Sequence, residues 1–153
     1  MNLSIRRMTL EDVPQVVAID QVSFSLPWPE RSFRYEVAEN SASRPWVLQT
    51  DGRIAAMIVV WLIVDEAHIA TIATHRDFRR QGFGRKLLVH ALMQAQKEGA
   101  KTALLEVRVS NLVAQDMYHN LGFVEISRRL HYYSDNGEDA ILMTASLEEF
   151  SNR

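Results

Sequence analysis

Eleven consecutive apolar residues, from Ile54 to Val64, constrain the fold more than any other feature of this chain. A helix that crosses a membrane needs about 20 such residues, so the run is too short for that. It is rich in β-branched Ile and Val, and it is bracketed by Asp51-Gly52 and Asp65-Glu66. Such a run is expected to be a strand buried on both faces, which demands a covering layer above and below the sheet. Asp51-Gly52 is also a strong hairpin signal, so strands over 46–50 and 53–64 should pair antiparallel.

The rest of the chain supplies the covering layers. Residues 3–8 read as an opening strand, and Thr9-Leu10-Glu11-Asp12 resembles a capping box before apolar residues at Leu10, Val13, Val16 and Val17. A second helix should start at Pro29 and run towards Ala38. A further strand is expected over 68–74. Gly84, Leu87, Leu88, Ala91, Leu92 and Ala95 then follow the helical rhythm, and Gly99 ends it. Residues 102–109 read as a strand. Asn111 should cap a helix carrying Ala114, Met117, Tyr118 and Leu121 on one face, closed by Gly122. Two last strands, 124–133 and 139–146, surround the turn at Asp135-Asn136-Gly137. Strands alternating with helices, plus a hairpin, predict an α/β fold with a mixed sheet. At 153 residues the chain is the size of one domain, expected over 1–153.

Composition narrows the function. A hydrophobic fraction of 47% and a charged fraction of 24% are ordinary for a globular protein. A net charge of −2 implies no global attraction to nucleic acid or to an anionic membrane. The absence of cysteine excludes disulfides, cysteine-ligated metals and a protein thiol nucleophile, and it fits a reducing cytoplasm. The N-terminus reaches charge before any apolar stretch, unlike a signal peptide. His68, His75, His90, His119 and His131 show no metal-ligand spacing, so no metal is expected.

The turn Arg79-Arg80-Gln81-Gly82-Phe83-Gly84-Arg85 lies between a strand and the longest helix. Free N–H groups at a helix start favour an anion, and glycines let phosphates approach the backbone. The dinucleotide pattern would need glycine at Leu87, and the P-loop pattern is absent. Residues 76–86 hold five cations against Asp77, a local net of +4 that leaves −6 for the rest of the chain. That concentration suits a polyphosphate ligand.

Arg79-x-x-Gly82-x-Gly84 resembles the acetyl-CoA motif of the GNAT acetyltransferase superfamily. The resemblance continues through residues 104–111 and 114–123, and covers about 4–147. Within the superfamily the chain is most similar to the RimI-type ribosomal-protein-alanine N-acetyltransferases, on the segments Phe24-Ser25-Leu26-Pro27-Trp28, Tyr132-Tyr133 and Gly137-Glu138-Asp139-Ala140. It implies a single GNAT-type domain whose sheet is mostly antiparallel with one parallel pair. It also implies acetyl-CoA held by Ile72, Ala73 and Thr74, by Arg79, Arg80, Gln81, Gly82, Phe83, Gly84 and Arg85, and by Asn111. Thr74 stands where that subfamily usually has valine, and Arg76 where proline is common.

Acetyl transfer to an amine needs a neutral amine, an oriented thioester and stabilisation of the departing thiolate. The resemblance makes Glu106 the proton acceptor. Its apolar strand, Ala103-Leu104-Leu105-Glu106-Val107, is expected to bury it and raise its pKa, although a pairing with Arg108 on the same strand face is the alternative. Tyr118 is a core tyrosine by periodicity and the general acid beside the CoA sulfur by resemblance. Tyrosine titrates about 1.5 above a thiol, so a hydrogen bond to the thiolate is the more economical role. Trp28, Tyr132 and Tyr133 flank the acceptor peptide in the resemblance. The function implied is acetylation of the N-terminal α-amine of an alanine-starting small-subunit ribosomal protein in the cytoplasm, without nucleic acid or membrane as partner. Another amine, on a small molecule or a lysine, and a non-catalytic acyl-CoA sensor are the alternatives.

Overall fold

The strand formed by the long apolar run sits inside the sheet of a computed structural model that describes residues 2–151. The domain expected over 1–153 therefore has Met1, Asn152 and Arg153 outside the described residues. This strand, β3 (Arg53–Ile63), lies between β2 (Ser43–Thr50) and β4 (Glu66–Thr74), both antiparallel to it. Ile54 through Val60 are buried, which fits a strand covered on both faces. The expectation fails at the end of the run, where Trp61 and Leu62 are half-buried and Ile63 and Val64 are exposed. There the strand projects past the covering helices into the β3–β4 hairpin, and Val64 adopts φ 58 in its turn.

Seven strands form one sheet in the order β1-β2-β3-β4-β5-β7-β6, where β1 is Leu3–Arg7, β5 Thr102–Arg108, β6 Val124–Arg129 and β7 Ala140–Ser146. Every pairing is antiparallel except β4 with β5. The mixed sheet with one parallel pair is thus as expected. β6 stops at Arg129, shorter than the predicted 124–133, because the chain turns at His131 with φ 52 and Asp139 accepts the His131 N–H at 3.0 Å.

Alternate side chains of β3 feed two apolar layers. Met57 and Val59 pack with Val13, Val16 and Ile19 of α1 (Val13–Ser23) and Phe33 of α2 (Glu30–Ala38). Ile58 and Val60 pack with Leu87, Leu88 and Leu92 of α3 (Phe83–Lys97), in a core that includes Tyr118 of α4 (Leu112–Asn120). Burial of each aliphatic side chain contributes roughly 1.5–3 kcal/mol, and these two layers fix which face each helix covers. The predicted capping box is present: the Thr9 N–H donates to Asp12 Oδ2 at 2.7 Å, and Arg6 holds the same carboxylate from 2.7 and 2.8 Å. Pro29 is the N-cap of α2 rather than its first residue.

The parallel pairing of β4 and β5 runs only through Glu66 with Thr102, Ala67 with Ala103 and His68 with Leu104. Beyond it the strands fork. Across β3 the register shifts from Thr71–Val59 to Ile69–Val60, which leaves Ala70 as a bulge that bends β4. Residues 69–74 consequently present a backbone edge towards β5 with no strand bonded to it.

Candidate active site

One wall of the fork ends at the glycine turn. Gly82 is the N-cap of α3 at φ 76, a left-handed conformation that L side chains adopt at a cost of roughly 1–2 kcal/mol. It offers no side-chain cap, and no acidic residue occupies the first turn. Gly84 brings the helix against the end of β4, since a Cβ there would lie 3.0 Å from Thr74 Oγ1. Arg79 Nε donates to the Thr74 carbonyl at 3.3 Å and ties the turn to the same strand. The structure therefore gathers Ile72, Ala73 and Thr74 with Arg79 through Arg85 at one end of the cleft, with the positive end of a 15-residue helix among them.

The other wall is β5. Leu105 and Val107 point into the α3/α4 core, so Leu104, Glu106 and Arg108 lie on the opposite face, where no helix covers them. Burial of Glu106 is overturned: its side chain is 31% exposed and pairs with Arg129 Nε at 3.1 Å. Pairing with Arg108 is absent as well. Arg108 instead reaches Asp135 at 2.9 Å and Glu138 at 3.2 Å, and its guanidinium lies 3.9 Å from the centre of the Tyr133 ring. The Ser25 hydroxyl donates to Asp135, and the Ser110 N–H donates to Glu138 at 2.9 Å. Arg108 thus joins the segment after α1, the start of α4 and the β6–β7 loop. Hydrogen bonds from Ser25 and Arg108 hold the Asp135 carboxyl down at about 2, and those from Ser110, Asn136 and Arg108 do the same for Glu138, also about 2.

Tyr118 is buried among the α4 core residues with its ring 5.7 Å from that of Phe123. Burial pushes its phenol up to about 12, with Tyr133 as a smaller contributor. Tyr133 itself is raised by burial first and next by the Glu106 charge. Tyr133 therefore stands within electrostatic reach of both predicted catalytic groups. Asn111 caps α4, its Oδ1 accepting the Ala114 N–H at 3.2 Å. Tyr132 packs edge-on against Tyr133 but is exposed. Trp28 is anchored by its N–H to Asp20 Oδ2 at 2.7 Å, and its ring lies over Trp61.

Sequence reasoning named Arg108 only as a possible partner of Glu106, and it missed Ser25, Asp135 and Glu138 as one network. The acidic turn 135–139 carried a signal, but its partner lies 27 residues away from Asp135. Among the described residues no group of three or more His, Asp or Glu side chains converges as a metal site would require. The arrangement is a fork between β4 and β5 with a glycine-opened helix start at one end, an accessible carboxylate on β5, and a buried phenol in the core under the opposite face of that strand.

The model of the Acetyltransferase (GNAT) family matches residues 13–123. The chain is 37% identical to the [ribosomal protein bS18]-alanine N-acetyltransferase of Escherichia coli (strain K12), over 92% of this chain and 95% of that protein. It is 36% identical to an N-alpha-acetyltransferase of Sulfurisphaera tokodaii, over 94% of this chain and 92% of that one. The crystal structure of the Escherichia coli ribosomal-protein-S18-alanine N-acetyltransferase superposes with a TM-score of 0.88 at 34% identity, covering 95% of this chain and 94% of that chain.

Proposed function

The chain belongs to the acetyltransferase (GNAT) family, and from that premise we propose that it acetylates the N-terminal α-amine of an alanine-starting ribosomal protein in the cytoplasm, working as a single domain. The observation that carries the reading is the β4–β5 fork, with a glycine-opened helix start on one side and Glu106 and Tyr118 on the other. Acetyl-CoA supplies an activated acyl group: the C–N bond to the amine forms as the C–S bond breaks. The first-turn N–H groups of α3, with Arg79, Arg80 and Arg85 around them, meet its phosphates. The unpaired edge of Ile72, Ala73 and Thr74 offers backbone donors and acceptors to its acetyl and pantetheine part, and Asn111 adds a polar side chain at the start of α4.

Glu106 takes the proton that the amine loses, directly or through one water. Its ion pair with Arg129 opens easily, since a surface pair contributes no more than about 1 kcal/mol. Tyr118 donates a hydrogen bond to the departing sulfur. Its phenol titrates at about 12 against about 8.5 for a thiol, so full proton transfer in the ground state would lie roughly 5 kcal/mol uphill. The thiolate therefore leaves hydrogen-bonded and takes its proton from solvent. Trp28, Tyr132 and Tyr133 border the acceptor's path.

Proton chemistry favours an α-amine over lysine. At pH 7 roughly one α-amine in seven is neutral, against about one lysine in 2,500. A peptide with a free N-terminal alanine and an internal lysine, incubated with enzyme and acetyl-CoA, is expected to carry acetyl on the α-amine by tandem mass spectrometry. Acetyl on the lysine alone would overturn the acceptor.

A further inference from the structure

An aromatic groove of 480 Å³ opens beside α2, lined by Trp28, Arg31, Ser32, Tyr35, Glu36 and Trp61. Its two indoles are nearly parallel, 11° apart with centroids at 6.3 Å, and Trp28 leans on Phe33 at 5.1 Å. Glu36 is only 6% exposed, yet it is bonded to no cation among the described residues. One carboxylate oxygen accepts the Trp61 indole N–H, and the other accepts from Asn40 Nδ2 at 3.1 Å. Both donors are neutral, and each oxygen keeps a further lone pair.

Buried carboxylates are almost always paired, and indole faces attract cations. A groove with π walls and an un-neutralised carboxylate therefore matches a guanidinium or an ammonium group. Arg31 does not fill that role. It lines the groove but is exposed, and it makes no ion pair with Glu36, whose oxygens are held by Trp61 and Asn40. The chain's net charge of −6 outside residues 76–86 acts in the same direction.

The groove lies on the same face of the sheet as Glu106. Trp61 pairs with His68, and His68 with Leu104, so all three point to the side on which Glu106 lies. Two strand spacings and one two-residue step separate Trp61 from Glu106, roughly 12 Å between Cα atoms. His68 and Leu104, on the way, are half-buried rather than covered. An extended peptide advances about 3.3 Å per residue, so three to four residues bridge the gap.

We propose that this groove is a subsite for a basic side chain at the fourth or fifth position of the acceptor, an inference that rests on N-terminal acetylation as the activity. The test uses hexapeptides that begin with alanine, with a single lysine moved from position two to six in an otherwise neutral sequence. Norleucine and phenylalanine replace the lysine as uncharged controls. KM with lysine at position four or five is expected about tenfold below that of the norleucine peptide, the scale of a charge-assisted contact. Glu36→Gln should erase that difference while leaving kcat unchanged, and it should leave KM for an alanine tripeptide, too short to reach the groove, as in the wild type. Tyr35→Ala, at an exposed position, removes one aromatic wall without touching the buried carboxylate and should lose part of the same preference. Equal use of lysine and norleucine, better use of phenylalanine, or a lysine preference that survives both variants would overturn the subsite while N-terminal acetylation stands. If the wild-type enzyme acetylates no peptide α-amine, the acceptor reading fails and the subsite fails with it.

Discussion

Tyr118 shows how one environment can serve two requirements. Its ring belongs to the apolar core and its phenol is held neutral by burial, so in the proposed reaction it acts as a hydrogen-bond donor at any working pH. Tyr118→Phe keeps the ring packing against Phe123 and loses only the donor. Turnover is expected to fall about 10- to 100-fold, with CoA affinity unchanged by titration calorimetry. Equal loss of affinity would mark the hydroxyl as a binding group instead. Glu106 teaches the complementary lesson. Its apolar neighbours in sequence, Leu105 and Val107, occupy the other face of the strand, so they say nothing about its own burial.

The elements meet at Arg108, and that junction should respond to acid. Asp135 and Glu138 titrate at about 2 in the folded protein, below the 3.9 and 4.3 of free side chains. A depressed carboxylate stabilises the fold fully above its unfolded pKa, and that contribution fades as pH falls from about 4 to about 2. Amide exchange in 131–139 is expected to accelerate across that window before exchange in β3 does. Simultaneous loss in both would mean that the clamp has no local role. The second junction, between β4 and α3, depends on two glycines. Gly82→Glu forces a side chain into the left-handed region and adds a charge that repels phosphate. It should lower stability by about 1 kcal/mol and cut the thermal shift produced by CoA. An unchanged shift would move the phosphate site away from this turn.

On the scale of the whole molecule, the cleft exists because β4 and β5 pair for three residues and then part, so a ligand bound there bridges α3, β4 and β5. Acetyl-CoA at a hundred times its Kd should add about 2.7 kcal/mol, or roughly 5–10 °C in Tm for a chain of this size. No shift under those conditions would contradict cofactor binding across the fork. Much of this architecture was legible in the chain itself. The apolar run, the capping box, the Asn111 cap and the glycines at 82, 84, 99 and 122 are local signals, readable because turn and helix-end geometry depends on adjacent residues. The class of fold and the phosphate-friendly turn follow from them. Three things were decided only in three dimensions. Helices α1 and α2 cover β2 to β4 but not β5, which leaves Glu106 open on its face. Arg108 finds Asp135 and Glu138 across the β6–β7 loop, and Trp28 and Trp61 close a groove around Glu36. Each depends on which elements stack on which face, a competition among packing arrangements that periodicity along one strand or helix does not encode.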